Sequence, residues 1–205
     1  MLRRNFSSAL LEDAVDSLAS LPGVGRRTAL RLALHLLGEP VENVERFAES
    51  VVKMRRDLHH CPECGMISDD GTCPFCSDSR RDPTVVCVVE SLRDVLSIEN
   101  TGQYRGLYHI LGGIISPIDG VGPGDLRIEE LRQRLSHGVI REVILALSTS
   151  MEGETTSYFL YKQIAGKPVT VSTIARGVGF GDDLEYADEL TLGRSIANRQ
   201  PFKPS

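Results

Sequence analysis

The sequence contains no apolar run that approaches the roughly 20 residues a membrane-spanning helix needs. Its first eight residues include two arginines and lack the apolar stretch of a signal peptide, so we expect a cytoplasmic protein without a membrane partner. No low-complexity tract or regular repeat predicts a solenoid, and the net charge of −5 argues against a nonspecific polycation. At 205 residues the chain can form one sizeable core with one or two satellite modules.

Cysteine is scarce, but four of the five cysteines stand in two close pairs. Cys61-Pro-Glu-Cys64 is followed, after eight residues, by Cys73-Pro-Phe-Cys76. Each pair presents two thiolates from one tight turn, and two such turns can complete a closed tetrahedron around Zn²⁺. A closed shell leaves no position for water, so the pattern predicts one structural zinc ion. Two disulfides or four unrelated thiols are the alternatives, and a cytosolic setting disfavours the disulfides.

The neighbouring residues that could also bind metal are interpreted differently. His59 and His60 lie beside the first cysteine pair, but four cysteines already fill the shell, so we interpret both histidines as flanking polar residues. Cys87 lies inside an apolar run and is predicted to be a small core residue.

A glycine turn lies between two helical patterns near the start of the chain, in the segment Leu21-Pro-Gly-Val-Gly-Arg-Arg-Thr-Ala-Leu. Gly23 and Gly25 allow positive φ and carry no side chain, so backbone N–H groups of the turn and of the next helix can face a phosphate. Between positions 17 and 38 the only formal charges are Arg26, Arg27 and Arg31, which predicts a basic surface. These five residues are the predicted DNA contacts.

This segment resembles the helix-hairpin-helix motif, which contacts the sugar-phosphate backbone of DNA without reading bases. The alternative is an ordinary helix pair, with Leu30, Leu34 and Leu37 in its core and the arginines solvated. A further helix is predicted from Val41 to Leu58, and its last turn carries Lys53, Arg55 and Arg56.

Strand and helix patterns alternate in the second half of the chain. Buried strands are predicted at 84–90, 107–111, 142–147 and 169–174, and helices at 91–100, 125–135 and 155–165, the first two capped by Ser91 and Asp125. The alternation predicts a mostly parallel sheet covered on both faces, with any site at the carboxyl ends of its strands. The whole chain is therefore predicted to be an α/β multidomain protein.

Polar residues follow two of these strands. Glu90 ends the first strand, and the segment from Ser148 through Ser150 to Glu152 and Glu154 follows the third. This resembles the Toprim fold of topoisomerases, primases and related nucleases, in which a glutamate and an Asp-x-Asp pair bind Mg²⁺.

Ser148 and Ser150 stand where those aspartates would be expected. Hydroxyl groups do not supply the charge that offsets the dehydration of Mg²⁺, so metal-dependent phosphoryl chemistry is not expected. The acids at 152 and 154 could instead favour a helix N-terminus, and Glu90 could be a structural acceptor.

The C-terminal segment opens with three glycines in five residues, Gly177, Gly179 and Gly181, and continues as an acidic, partly apolar stretch. No Gly-Lys-Ser/Thr follows, and the acids would repel an anion, so a nucleotide site built on this segment alone is not expected. An exposed docking segment for another chain fits better.

The four modules occur in the order found in the bacterial RecR family of recombination mediators, which the whole chain resembles. The predicted domains are a helix-hairpin-helix region at 1–56, a four-cysteine zinc finger at 57–81, a Toprim-like domain at 82–177 and a C-terminal assembly tail at 178–205. The resemblance implies a non-enzymatic protein that works with RecO-type and RecF-type partners to load a RecA-type recombinase onto gapped DNA coated with single-strand-binding protein.

The resemblance also implies homo-oligomers, from a dimer to a tetrameric ring that can encircle DNA. It assigns DNA contact to Arg26 and Arg27 and partner contact to Glu152 and Glu154, with Glu90 beside them. One departure is visible, because the family has a proline and a Gly-Gly pair where this chain has Gly179 and Gly181-Asp182. Two other hypotheses stay open: a Mg²⁺-dependent nuclease or topoisomerase-like enzyme, and a zinc-stabilised scaffold that does not bind DNA.

Overall fold

A computed structural model describes residues 8–175, 177–179, 181 and 183–198. Phe180, Asp182 and residues 199–205 of the predicted tail lie outside the described residues. The chain divides into two compact units between Leu58 and His59.

The first unit contains three helices, α1 (Ala9–Ala19), α2 (Arg26–Leu37) and α3 (Val41–Asp57). Helices α1 and α2 pack around a small core of Val15, Ala29 and Ala33, and the α1 N-terminus is capped by Ser8, whose Oγ accepts a hydrogen bond from Leu11 N. The ordinary helix-pair alternative placed Leu34 and Leu37 in this core, but their exposed fractions are 50% and 74%. That part of the alternative is wrong.

Helix α3 confirms the helix predicted from Val41 to Leu58, but it differs from α1 and α2 in its burial. None of its 17 residues is buried, although apolar residues recur along one side. Phe47, Val51 and Met54 are each about half exposed. Among the described residues, the apolar side of this amphipathic helix therefore stays about half exposed.

The second unit begins with a short hairpin of β1 (His59–His60) and β2 (Ile67–Ser68), followed by the one-turn helix α4 (Pro74–Ser77). Four parallel strands then form a sheet in the order β4-β3-β5-β6: β3 (Asp82–Val89), β4 (Gly106–Ile110), β5 (Glu142–Leu145) and β6 (Thr170–Thr173). The accompanying helices are α5 (Leu92–Asn100), α6 (Ile128–Ser136), α7 (Met151–Ile164) and α8 (Glu189–Ala197). This arrangement confirms the predicted α/β fold.

Two helix starts differ from the predictions. Asp125 does not cap α6: it ends a 3₁₀ turn, and its carboxylate accepts a hydrogen bond from Gly122 N at 2.8 Å. Helix α7 begins at Met151, four residues before the predicted start, because the Ser150 hydroxyl caps it by accepting from Gly153 N at 3.0 Å. The predicted cap at Ser91 is confirmed, and Asp94 completes it by accepting from Ser91 N.

The two faces of the sheet are covered by different parts of the chain. Val86, Val88, Val143 and Leu145 belong to one core cluster with residues of α6 and α7. On the opposite face, a second cluster joins sheet residues to Val95 of α5 and to the cysteine loop: Cys61, Cys64, Cys73, Cys87, Val89, Tyr108 and Ile110. Coverage on both faces is confirmed. The cysteine loop, however, is part of a main core and not a satellite.

Candidate zinc centre and nucleic-acid interface

The four paired cysteines converge at one point. Their sulfur atoms all lie within 4.8 Å of one another, and the Sγ atoms of Cys64 and Cys73 are 3.4 Å apart. A tetrahedral zinc ion with bonds of about 2.3 Å places its sulfur ligands about 3.8 Å apart. The observed separations lie on both sides of this distance, so the cluster fits a tetrahedral Zn²⁺ ion.

The close approach of the four sulfur atoms also favours a cation at this point. The hydrogen bond with Cys76 and burial both raise the pKa of Cys64, whereas the hydrogen bond from Cys64 lowers the pKa of Cys76 to about 6. Four thiolates this close together, three of them fully buried, repel one another unless a positive charge lies between them. Zn²⁺ supplies that charge and binds thiolates in preference to thiols.

The first cysteine turn is fixed to the sheet through its backbone. Ile110 N donates a hydrogen bond of 2.7 Å to Cys64 O. Gly65 follows with φ of 78°, and a Cβ added there would lie 2.9 Å from Ile110 O and from the Arg127 side chain. Only glycine fits, because the turn needs both a positive φ and a close approach to β4.

The second cysteine turn packs through aromatic and charged side chains. The Phe75 ring meets the Tyr108 ring edge-on, with centroids 5.7 Å apart, and the Arg81 guanidinium lies 4.5 Å from the Phe75 centroid. Arg81 also forms an ion pair of 2.6 Å with Glu99, which accepts a second hydrogen bond from Tyr108 Oη. Zinc ligation and the packing of β4 are therefore directly connected.

The predicted phosphate-binding turn in the first unit is open on its outer side. Both glycines allow positive φ, but only Gly23 adopts it, with φ of 80°, whereas Gly25 has φ of −73°. A Cβ added to either glycine would meet nothing within 4 Å. Gly25 is the N-cap of α2, and no side chain of the described residues caps this helix. Its first N–H groups are thus left to an external acceptor.

The charges beside this turn are not all basic. Arg26 forms ion pairs with Asp16 at 2.5 Å and with Glu12 at 3.5 Å, so two acids offset the charge of the predicted basic surface at this residue. Both acids lie on α1, outside the window from which basicity was predicted. Arg27 and Arg31 line a surface hollow of about 390 Å³ with Thr28, and neither has an ion-pair partner in the described part of the chain.

The Toprim-like residues meet at the carboxyl end of the sheet. Glu90 Oε1 accepts a hydrogen bond of 2.5 Å from Ser148 N, and the hydroxyl groups of Ser148 and Ser150 are 3.1 Å apart. Glu90 is thus a structural acceptor. Among residues 8–175, 177–179, 181 and 183–198, the four cysteines are the only group of three or more potential ligands close enough to hold a metal ion.

The two acids of α7 occupy different surroundings. Glu152 and Glu154 both lie in the first turn of the helix, where the dipole favours them. Glu154 also pairs with Arg194 of α8 at 3.7 Å, and Ser195 of α8 accepts a hydrogen bond from Val178 N. Part of the tail therefore packs against helix α7, although Tyr186 remains 80% exposed.

Comparison with known proteins assigns each segment separately. The chain matches models of the RecR helix-hairpin-helix at residues 11–55, the RecR four-cysteine zinc finger domain at 58–78, the Toprim domain at 84–175 and the RecR C-terminal region at 177–200. It is 57% identical to a recombination protein RecR of Parabacteroides distasonis, over 98% of this chain and 97% of that protein. This chain belongs to the RecR family.

Other RecR proteins are similar over the same length. The identity is 57% to that of Porphyromonas gingivalis, covering 98% of both chains, and 53% to that of Flavobacterium johnsoniae, covering 97% of this chain and 96% of its relative. The zinc finger assignment and the sulfur geometry agree, so zinc is the cofactor of this RecR chain. No helix in the described part of the chain is both long and apolar enough to span a membrane.

Sequence reasoning missed two sets of residues around these sites. The acids that hold Arg26, Glu12 and Asp16, were missed because their pairing depends on how α1 packs against α2. Two arginines that contact the cysteine loop were also missed. Arg127 immediately precedes α6, and Arg134 lies within it. The helical pattern could have indicated that Arg134 is buried, because Arg134 lies about one turn after Leu131 on the apolar side of the helix.

Proposed function

We propose that this RecR chain is a non-enzymatic mediator of recombinational DNA repair that binds the phosphate backbone of gapped DNA. In this proposal it acts with RecO-type and RecF-type partners to load a RecA-type recombinase. The observation that carries the proposal is the uncapped N-terminus of α2, with Gly23 and Gly25 open in front of it and Arg27 and Arg31 beside it.

The α2 N-terminus has the properties of a phosphate site. Its free N–H groups and the helix dipole favour an anion, and two arginines without carboxylate partners in the described part of the chain add positive charge. Arg26 contributes less in this state, because Asp16 and Glu12 already hold its guanidinium. None of these groups can read a base, so the proposed contact is independent of DNA sequence.

The absence of catalysis in this proposal rests on the Toprim-like end of the sheet. Glu90 is engaged by Ser148 N, and two hydroxyl groups occupy the positions expected for aspartates. A carboxylate beside two hydroxyls lacks the charge needed to bind and position Mg²⁺ for phosphoryl transfer.

Partner contact is proposed at the acids of the same edge. Glu152 is the strongest of the three predicted positions, because Glu90 and Glu154 have partners within the chain. A carboxylate at a helix N-terminus can attract a basic surface of a RecO-type or RecF-type protein.

Assembly into a dimer or a tetrameric ring is part of the proposal. Its support is helix α3, whose residues Phe47, Val51 and Met54 present an apolar side that is about half exposed in the described part of the chain. A second copy of this helix would bury that side, and a closed ring would carry several α2 N-termini. Sedimentation of the purified protein measures the size of the assembly.

The test compares salt-dependent binding of wild type and Arg27→Gln/Arg31→Gln to gapped DNA in the presence of Mg²⁺. Each lost phosphate contact is expected to reduce the slope of log K against log salt by about 0.9 on duplex DNA. The control is Arg93→Gln/Arg105→Gln, which removes the same charge from exposed positions of the second unit.

Four outcomes are distinguished by this experiment. A flatter slope for the hairpin variant alone, with intact DNA on a denaturing gel, supports the proposal. Equal losses in both variants would contradict a specific phosphate site at α2. Cut or relaxed DNA that persists after purification would contradict the non-enzymatic role, and a lack of binding by the wild type would leave the scaffold hypothesis in its place.

A further inference from the structure

Arg134 is the most buried arginine that reaches the zinc centre. Its exposed fraction is 8%, and its Nη1 donates a hydrogen bond of 2.6 Å to Tyr108 O in β4. Its Nη2 lies 4.0 Å from Cys76 Sγ. No carboxylate of the described residues forms an ion pair with it. A buried cation is costly unless a negative charge lies nearby.

The negative charge near Arg134 is the zinc centre itself. One Zn²⁺ and four thiolates carry a formal charge of −2, and this charge is enclosed in a core cluster. Arg127 also reaches the loop, where its Nη2 donates to the carbonyl oxygens of Cys61 and Pro62, but Glu130 lies 3.8 Å from the same nitrogen. Arg134 is thus the cation that is not already neutralised by a carboxylate of the described residues.

A cavity opens beside the same pair of side chains. It has a volume of about 220 Å³, and both Cys76 and Arg134 line it, together with Glu63 and His137. Cys61, Cys64 and Cys73 are buried completely, whereas Cys76 is partly exposed. A small reagent therefore reaches the Cys76 sulfur before any other ligand.

We propose that the Arg134 guanidinium is the charge-compensating cation of the zinc centre, and that the cavity beside it makes Cys76 the ligand at which zinc is exchanged and thiol reagents react. Arg134 acts through Cys76 and is a positioning residue. It belongs to α6, which covers the opposite face of the sheet from the cysteine loop. Zinc affinity in this protein is therefore set partly outside the zinc finger.

The first test measures metal affinity by competition with a chromogenic chelator. Arg134→Met is expected to lower zinc affinity about tenfold or more, as loss of a hydrogen-bonded or charged neighbour does in other metal sites. Arg132→Met is the matched control, because it removes the same charge from the same helix at an exposed position that pairs with Glu129. Arg134→Lys keeps the charge and is expected to recover most of the affinity.

The second test separates charge compensation from simple support of β4. In the cobalt-substituted protein, the sulfur-to-cobalt charge-transfer band should move to longer wavelength in Arg134→Met, because the thiolate electrons are less stabilised without the cation. It should return toward its original position in Arg134→Lys. A weaker affinity with an unmoved band would show that Arg134 only supports the backbone, and an unchanged affinity would also overturn the proposal.

The third test uses wild-type protein and does not depend on the folding of any variant. Zinc-loaded protein is treated with iodoacetamide, and modified cysteines are located by mass spectrometry. At the reacting cysteine, sulfur forms a bond to the methylene carbon as iodide leaves, which removes one thiolate from the metal. Cys76 should be modified first, and zinc release should follow that modification. Earlier reaction at Cys61, Cys64 or Cys73 would overturn the proposal.

Discussion

The ion pairs of Arg26 with acids of α1 lead to a prediction about DNA affinity. Asp16→Asn should increase DNA affinity, because it releases Arg26 toward the phosphate that the α2 N-terminus is proposed to bind. Arg26 Nη1 lies 2.5 Å from Asp16 Oδ1, and the side chains are 49% and 54% exposed. An exposed pair of this kind contributes roughly 0.2–1 kcal/mol.

That range sets the expected magnitude. Breaking the pair before Arg26 can contact DNA costs the same free energy, which corresponds to about 1.4-fold to 5-fold in Kd. Glu12 remains at 3.5 Å after the substitution and retains part of the interaction, so the gain should stay within this range. One new phosphate contact should also steepen the salt dependence by about 0.9 in log–log slope on duplex DNA.

The assay is a titration of labelled gapped DNA at several salt concentrations. Asp13→Asn is the matched control, because Asp13 lies on the same helix and carries the same charge but forms no ion pair with Arg26. Asp16→Asn/Arg26→Gln completes a cycle, in which the gain should disappear. Equal effects of Asp16→Asn and Asp13→Asn, or a gain that survives loss of Arg26, would refute the reasoning.

Two other predictions concern the second unit. Cys64→Ser should abolish zinc binding and lower Tm by roughly 10 °C or more, because metal-binding free energy contributes to folding free energy. Cys87→Ala should keep one zinc ion per chain. Metal analysis and thermal unfolding measure both effects, and an unchanged Tm for Cys64→Ser would contradict a structural zinc. Burial lowers the pKa of His109 from 6.5 to about 4, so its neutral form favours the folded state and stability should fall as pH drops below 6.5. The free energy of unfolding should fall by about 1 kcal/mol between pH 7 and pH 5.5. Chemical denaturation at both pH values should show a smaller decrease for His109→Gln than for wild type. Equal decreases in the two proteins would exclude His109 as the source.

Features of this fold that depend on nearby residues were predictable from the sequence. The spacing of the cysteines gave the zinc ligands, and the alternation of apolar runs gave the parallel sheet. The start of α7 was missed because Ser150 was interpreted only as a residue of the Toprim-like pattern, whereas it is also the N-cap of the helix. Capping decides the local structure, since its hydroxyl accepts from Gly153 N.

Features that depend on distant contacts were not predictable. The pairing of Arg26 with Asp16 requires knowing which sides of α1 and α2 face each other. The position of the cysteine loop on the sheet depends on Ile110 N and Arg134, which lie 46 and 58 residues from their contacts at Cys64 and Cys76. A window of local sequence contains neither partner, so charge and hydrophobic pattern alone could not show the contact.

The cysteine loop on the sheet has a practical consequence for dividing this protein into fragments. The sequence predicts a domain border after residue 81. A fragment that begins there would expose Tyr108, Val89 and Ile110 to solvent, and it would leave the charge of Arg134 without the neighbouring cysteine loop. Such a fragment is expected to aggregate. A cut between Leu58 and His59 keeps the cysteine loop packed on the sheet. This position therefore has the best physical basis for expressing the two units separately.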